Sequence, residues 1–168
     1  MTGARRRLLV GIMGGLVVLS ACGSSGNGNA ATTTTTTAPT TTLTEQQSKD
    51  QITKAYTDFF NGANTDLEAK LALLDNPDKY RALYTKFATD PTTGGQLKGT
   101  TATVTAITIN PDNTADVTYT LNLNGTPALA DQIGKAVLVN GAWKVSGTTF
   151  CDLAALGDPS VTQDPACA

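Results

Sequence analysis

Three cysteines and no histidine bound the chemistry open to this 168-residue chain. Without histidine there is no Ser/His or Cys/His nucleophile pair, no His-ligated zinc and no ordinary neutral-pH proton shuttle. The carboxylates do not form catalytic pairs. Asp66 and Glu68 stand two apart in a helical pattern and face different ways. Asp112 and Asp116 flank a turn and lack the oxygen spacing and glycine of a calcium loop. Gly94-Gly95 is not followed by the Lys-Ser/Thr of a phosphate loop, so it reads as a break in the helical pattern. Asn124-Gly125-Thr126 has glycosylation spacing, and a hairpin turn accounts for it equally well. The chain therefore offers no catalytic residue, no metal-ligand set and no cofactor motif, and it reads as a non-enzyme.

What remains is sulfur and aromatic surface. Cys151 follows the last strand pattern and Cys167 is the penultimate residue, far from the spacing of a Cys-x-x-Cys redox pair. In an oxidising compartment the two read as a structural disulfide, whose loop closure stabilises by about 3 kcal/mol and ties back residues 158–168. Tyr56, Phe60, Tyr84, Tyr119 and Trp143 all fall on inward faces. Such residues either line an apolar pocket or fill the core, and a buried phenol needs a hydrogen-bond partner in both cases.

Charge excludes one class of partner. Twelve basic residues oppose fourteen acidic ones, for a net charge of -2, and loss of Arg5, Arg6 and Arg7 takes this to -5. A mildly acidic chain without a basic run lacks the cations that phosphate recognition requires, which excludes nucleic acid.

Those three arginines open an export signal. They precede a twelve-residue apolar run, Leu8 to Leu19, broken by three glycines, and small residues lead on to Cys22. As a helix the run would reach roughly 18 Å, too short for a hydrocarbon core of about 30 Å. Leu19-Ser20-Ala21-Cys22 resembles the lipobox of bacterial lipoproteins. The resemblance implies cleavage before Cys22, diacylation of its thiol and a palmitate-type anchor on the outer side of the cytoplasmic membrane. One acyl chain holds marginally, and two or three hold firmly.

The chain then divides by composition. Residues 1–21 are the signal, and residues 22–43 are the lipidated cysteine and a Thr-rich linker that includes Thr32 to Thr37. The linker buries too little to offset its ordering entropy, so it is expected to be disordered. It fits a plain spacer or an O-glycosylated stalk. A folded domain over residues 44–157 follows, then the tail at residues 158–168.

Within the domain, Thr44 and Gln47 have capping-box spacing ahead of an apolar stripe at Ile52, Ala55, Tyr56, Phe59, Phe60 and Ala63. Thr65 and Glu68 repeat that spacing before Leu67, Leu71 and Leu74. Asn76-Pro77 opens a third helix with Tyr80, Leu83, Tyr84 and Phe87 inward. Strands follow at Thr100 to Ile109, at Thr114 to Leu123 with strict alternation, and around Lys135 to Val139. A return strand over Ala142 to Phe150 follows the Asn140-Gly141 turn. The fold class is α+β, with three N-terminal helices packed on a curved four-stranded antiparallel sheet.

Two segments carry a further resemblance, Val117-Thr118-Tyr119-Thr120-Leu121 and Ala136 to Ser146 with its Asn140-Gly141-Ala142-Trp143-Lys144 hairpin. Over residues 44–157 the chain resembles the C-terminal domain of the low-molecular-weight antigen family of mycobacterial secreted proteins and lipoproteins. Similar hairpins end cystatin-like and nuclear-transport-factor-like cones, which implies that fold. The family brings no catalytic residues to transfer. The expectation is a lipid-anchored, non-catalytic envelope module that binds an envelope protein or an apolar ligand. The alternative is a small cone-fold enzyme or carrier for a lipid-like ligand.

Overall fold

The computed structural model describes residues 43–168. The apolar run at residues 8–19, the lipobox with Cys22 and the threonine tract at residues 32–37 lie outside them. In chain order the elements are α1 (Glu45–Phe59), α2 (Leu67–Leu71), α3 (Pro77–Thr89), α4 (Thr93–Leu97), β1 (Thr100–Ile109), β2 (Thr114–Leu123), β3 (Thr126–Val139), β4 (Ala142–Val145) and α5 (Gly147–Gly157). A 3-10 turn at Pro159–Gln163 follows.

The first helix starts where its cap dictates. The Thr44 hydroxyl accepts from the Gln47 amide at 3.2 Å, and the Gln47 side chain accepts from the Thr44 amide at 2.9 Å. Ile52, Ala55, Tyr56 and Phe59 are buried, while Ala63 lies beyond the helix and is exposed. Asp66, not Thr65, caps α2, accepting from the Ala69 amide at 3.1 Å. Asn76 caps α3, with Pro77 in its first turn as its fixed φ favours.

The α+β class holds, with a sheet of order β1-β2-β3-β4 and every pair antiparallel. The expected set of three N-terminal helices is corrected: among the described residues four precede the sheet and a fifth follows it. The Gly94-Gly95 break is in fact α4. There the Asp90 carboxylate accepts from the Thr92 and Thr93 amides, and the Gly94 amide donates to the Asp90 carbonyl at 2.8 Å. A Cβ at Gly94 would fall 2.6 Å from the Ala88 carbonyl oxygen, so glycine lets this turn fold back onto α3.

The last strand is likewise shorter than expected. It ends at Val145, and the Ser146 hydroxyl accepts from the Thr148 amide to start α5. β3 is much longer than residues 135–139, because Asn124 (φ 52) and Gly125 (φ 80) form the same two-residue turn as Asn140 (φ 51) and Gly141 (φ 79). The register shifts between Val104 and Ala106 on β1, and between Tyr119 and Leu121 where β2 meets β3. Asp131 takes φ 50 in the second irregularity. Such bulges bend strands and raise their twist, which curls the sheet. The free edge of β4 is covered by the connector between α2 and α3: the Val145 amide donates to the Leu73 carbonyl, and the Asp75 amide donates to the Val145 carbonyl.

α1 packs on the sheet through β1 and β4, and Ile52, Tyr56, Leu71, Leu74, Val117 and Val145 are the most deeply buried side chains between these layers. Cys151, in the first turns of α5, is bonded to Cys167. The tail is packed as well as tied, since Val161 and Ala166 belong to the same core. Serine at both cysteines is expected to lower the unfolding free energy by about 3 kcal/mol, the value for a loop of this order. Urea denaturation with and without reductant measures it. A loss under about 1 kcal/mol would show that Val161 and Ala166 hold the tail unaided.

Candidate functional site

The aromatic residues divide into two groups. Tyr56 is fully buried beneath the sheet, and its hydroxyl donates to the Lys135 carbonyl at 2.9 Å. The Thr149 hydroxyl meets the same peptide from α5, accepting from the Lys135 amide at 2.7 Å. Tyr119 stacks on Phe60 with ring centroids 5.4 Å apart and meets Tyr56 edge-on at 5.1 Å. Burial pushes the Tyr119 phenol up to about 12 and the Tyr56 phenol higher still. Trp143 is buried, its amide donates to the Gln51 side chain, and its indole N–H has no partner among the described residues. Tyr56, Tyr119 and Trp143 therefore belong to the buried core.

Phe60 and Tyr84 do face open space. They belong to a groove of about 500 Å³ between the ends of the helices and the far end of the β2–β3 hairpin. Each wall follows from a local sequence choice. The last turn of α1 supplies Phe59 and Phe60. Residues one turn apart on α3 supply Tyr84 and Phe87, and α5 supplies Phe150, Leu153 and Leu156. Leu121 and Leu123, at the end of the alternating face of β2, form the floor with Leu129 of β3.

α4 lies along the mouth. None of its residues is buried, and it is held by close backbone approach: Gly62, whose amide donates to the Thr100 carbonyl at 2.9 Å, abuts the Leu97 and Lys98 backbone. Of the four large hydrophobic side chains left exposed among the described residues, three line this groove: Leu97 (37%), Leu123 (37%) and Leu156 (63%). An apolar concavity with an uncovered apolar rim is the ordinary form of a small-molecule site.

The charged lining is of one sign, with Lys70 and Lys98 present and no carboxylate. Lys70 is only 3% exposed, and its ammonium donates to the carbonyls of Asp58 (2.7 Å), Phe59 (2.8 Å) and Asn61 (2.7 Å). It thus closes the C-terminal end of α1, where the helix dipole also favours a cation. Burial lowers its ammonium to about 8, with Asp58 opposing the shift. The acids lie elsewhere: Glu68 pairs with Arg81, Asp116 with Lys135 and Asp158 with Lys86. Asp112 accepts from the Thr114 hydroxyl at 2.6 Å, as a turn residue does. What the groove can do is bury an apolar chain and meet a negative charge.

The aromatic stripes pointed to Phe60 and Tyr84 but not to Lys70, Lys98, Phe150 or the leucine rim. For Lys70 the signal was present: it stands three residues after Leu67 and four before Leu74, on the inward side of that stripe.

A family model described as low molecular weight antigen MTB12, C-terminal domain, matches residues 45–160. No curated protein and no solved structure matches the chain.

Proposed function

This chain belongs to the low molecular weight antigen MTB12 family through that C-terminal domain, and we propose that it is a lipid-anchored lipoprotein of the cell envelope whose folded domain binds an apolar ligand without catalysis. The anchor is Cys22, the tether is the Thr-rich linker, and the ligand site is the groove under α4. The observation that carries the binding role is the coincidence of the groove with the exposed leucines Leu97, Leu123 and Leu156. Such a surface carries a standing hydration cost that a bound apolar group removes. The non-catalytic reading is supported by the lining itself, which presents hydrocarbon, neutral amides, hydroxyls and two ammonium groups but no carboxylate, and whose one perturbed group, the Lys70 ammonium, is engaged by three backbone carbonyls. In the same proposal the bulged, curled sheet with α1 against it is read as a cystatin-like or nuclear-transport-factor-like cone.

Native mass spectrometry of the detergent-released protein tests the anchor and the ligand together. The expected species begins at Cys22, is heavier by its acyl groups, contains the Cys151–Cys167 bond and retains a small apolar molecule. Cys22→Ala is expected to abolish lipid labelling and release the domain from the membrane fraction. A polypeptide that begins at Met1 with an unmodified Cys22 thiol would overturn the lipoprotein assignment.

A further inference from the structure

We propose that the groove takes one fatty-acyl chain with a carboxylate head, the hydrocarbon lying along Phe87, Phe150 and Leu153 and the carboxylate at Lys98. The inference rests on the apolar-ligand reading above and adds the head group to it. Three observations carry it.

The first is the disposition of cations over the whole described domain. Lys49, Lys54, Lys86, Lys135 and Arg81 each pair with a carboxylate. Lys144 donates to the Ala72 carbonyl, Lys79 lies over the Tyr80 ring, and all three hydrogens of the Lys70 ammonium are taken by carbonyls. Lys98 alone among the cations of the described residues has no ion pair, no side-chain hydrogen bond and no aromatic ring beneath it, and it lines the apolar groove. An unpaired cation beside hydrocarbon, with no lining carboxylate to oppose it, complements an anion attached to a chain.

The second is the polarity of the groove along its length. Most of the polar lining, with Asn64, Gln96 and Lys98 at its centre, belongs to the loop after α1 and to α4 with its C-cap, the two segments that meet at Gly62, and Thr100 and Asn122 adjoin it on β1 and β2. The walls contributed by α3 and α5 are hydrocarbon and aromatic. A lining that is polar at one side and apolar beyond it fits an amphiphile better than a uniformly apolar molecule.

The third is size. About 500 Å³ is the scale of a small-ligand cleft.

Photo-crosslinking on the intact lipoprotein tests the inference. Membranes carrying the full-length protein are treated with a diazirine-bearing hexadecanoic acid and, separately, with the matching hexadecanol. The acid is expected to label peptides of α3 and α5 on the order of tenfold more than the alcohol, the scale of one charge-assisted contact. Lys98→Gln is expected to bring acid labelling down to the alcohol's level, and Lys98→Arg to restore it. Lys98 is exposed, so neither variant threatens the fold. Equal labelling by acid and alcohol, unchanged by Lys98→Gln, would overturn the head-group assignment and leave the apolar-ligand reading standing. Labelling of the groove by neither probe, or crosslinks there only to a second copy or another protein, would overturn both.

Discussion

Methionine in place of Lys70 is expected to destabilise the fold by about 3 kcal/mol, although Lys70 makes no salt bridge among the described residues and lies in a five-residue helix. The size of the effect follows from what the ammonium holds. The Asp58 and Asn61 carbonyls each keep a backbone donor, from the Asn61 and Asn64 amides, but the Phe59 carbonyl has only Lys70. Methionine fills the space and leaves that carbonyl buried and unpaired, at a cost of about 1–3 kcal/mol, and it removes charge-assisted bonds worth about 1.5–3 kcal/mol each. Relief from burying a charge offsets part of this, so the sum does not reach the total of its parts. Urea denaturation of wild type and Lys70→Met at pH 7 measures it. Equal stability would show that water already satisfies these carbonyls.

The same lysine gives the fold an alkaline signature of defined sign. Burial sets the folded Lys70 at about 8, below its ordinary 10.5. Between those values the unfolded chain keeps a proton that the folded chain has released, so wild-type stability rises with pH in that window. Tyr56 and Tyr119 act in the opposite sense. Their folded values lie above 10, so the stability they contribute is present below pH 10 and is lost as pH climbs through their folded values. Stability is therefore expected to rise from about pH 8 to about pH 10 and to fall above it. In Lys70→Met the rise is absent and the fall remains. A wild type whose stability declines steadily from pH 8 would contradict the assignment to Lys70.

Sequence patterns expose elements whose cues are local. The Thr44–Gln47 box, Pro77 after Asn76, the alternation of β2 and the Asn140-Gly141 turn each act within a few residues, and each stands where its pattern placed it. The elements that were missed depend on distant contacts. Gly147-Thr148-Thr149-Phe150 has the composition of a strand, yet it becomes helix because Ser146 caps it and Thr149 bonds to the Lys135 peptide on β3. Helix α4 contains two glycines and buries nothing of its own, so no periodicity marks it; its position depends on close approach to Ala88 and Gly62. As a site the groove was legible only through Phe60 and Tyr84: Phe59, Phe87 and Leu121 stood on faces read as core, and the remaining walls come from α4, α5 and the first half of β3, the segments read as loop or strand. A site assembled from element ends shares no single periodicity.

Alanine at Phe150 is expected to destabilise the domain by about 3–5 kcal/mol. Phe150 stands where the core passes into the groove. Its ring meets Phe59, Tyr80 and Phe87 edge-on at centroid distances of 6.3, 5.9 and 6.5 Å, and Tyr84 in a tilted contact at 5.6 Å. Beyond the area buried, such aromatic pairs add about 0.5–1.5 kcal/mol each. The partners come from α1 and α3, so the ring is the contact through which α5 holds two helices at once. Tyr80 cannot follow a retreating side chain freely, because its ring already rests on the backbone of Gly147 at the start of the same helix. The cavity would therefore stay open. Phe150→Leu retains most of the volume and is expected to cost under about 1.5 kcal/mol, so the pair of variants separates volume from aromatic geometry. Thermal or urea unfolding reads both. The structure also fixes where the new space would go: Phe150 lines the groove, so Phe150→Ala deepens it, and fatty-acyl labelling in α3 and α5 is expected to persist in the folded fraction while stability falls. A loss under about 1 kcal/mol would mean that the surrounding rings close over the site, and that Phe150 is a groove wall without a core role.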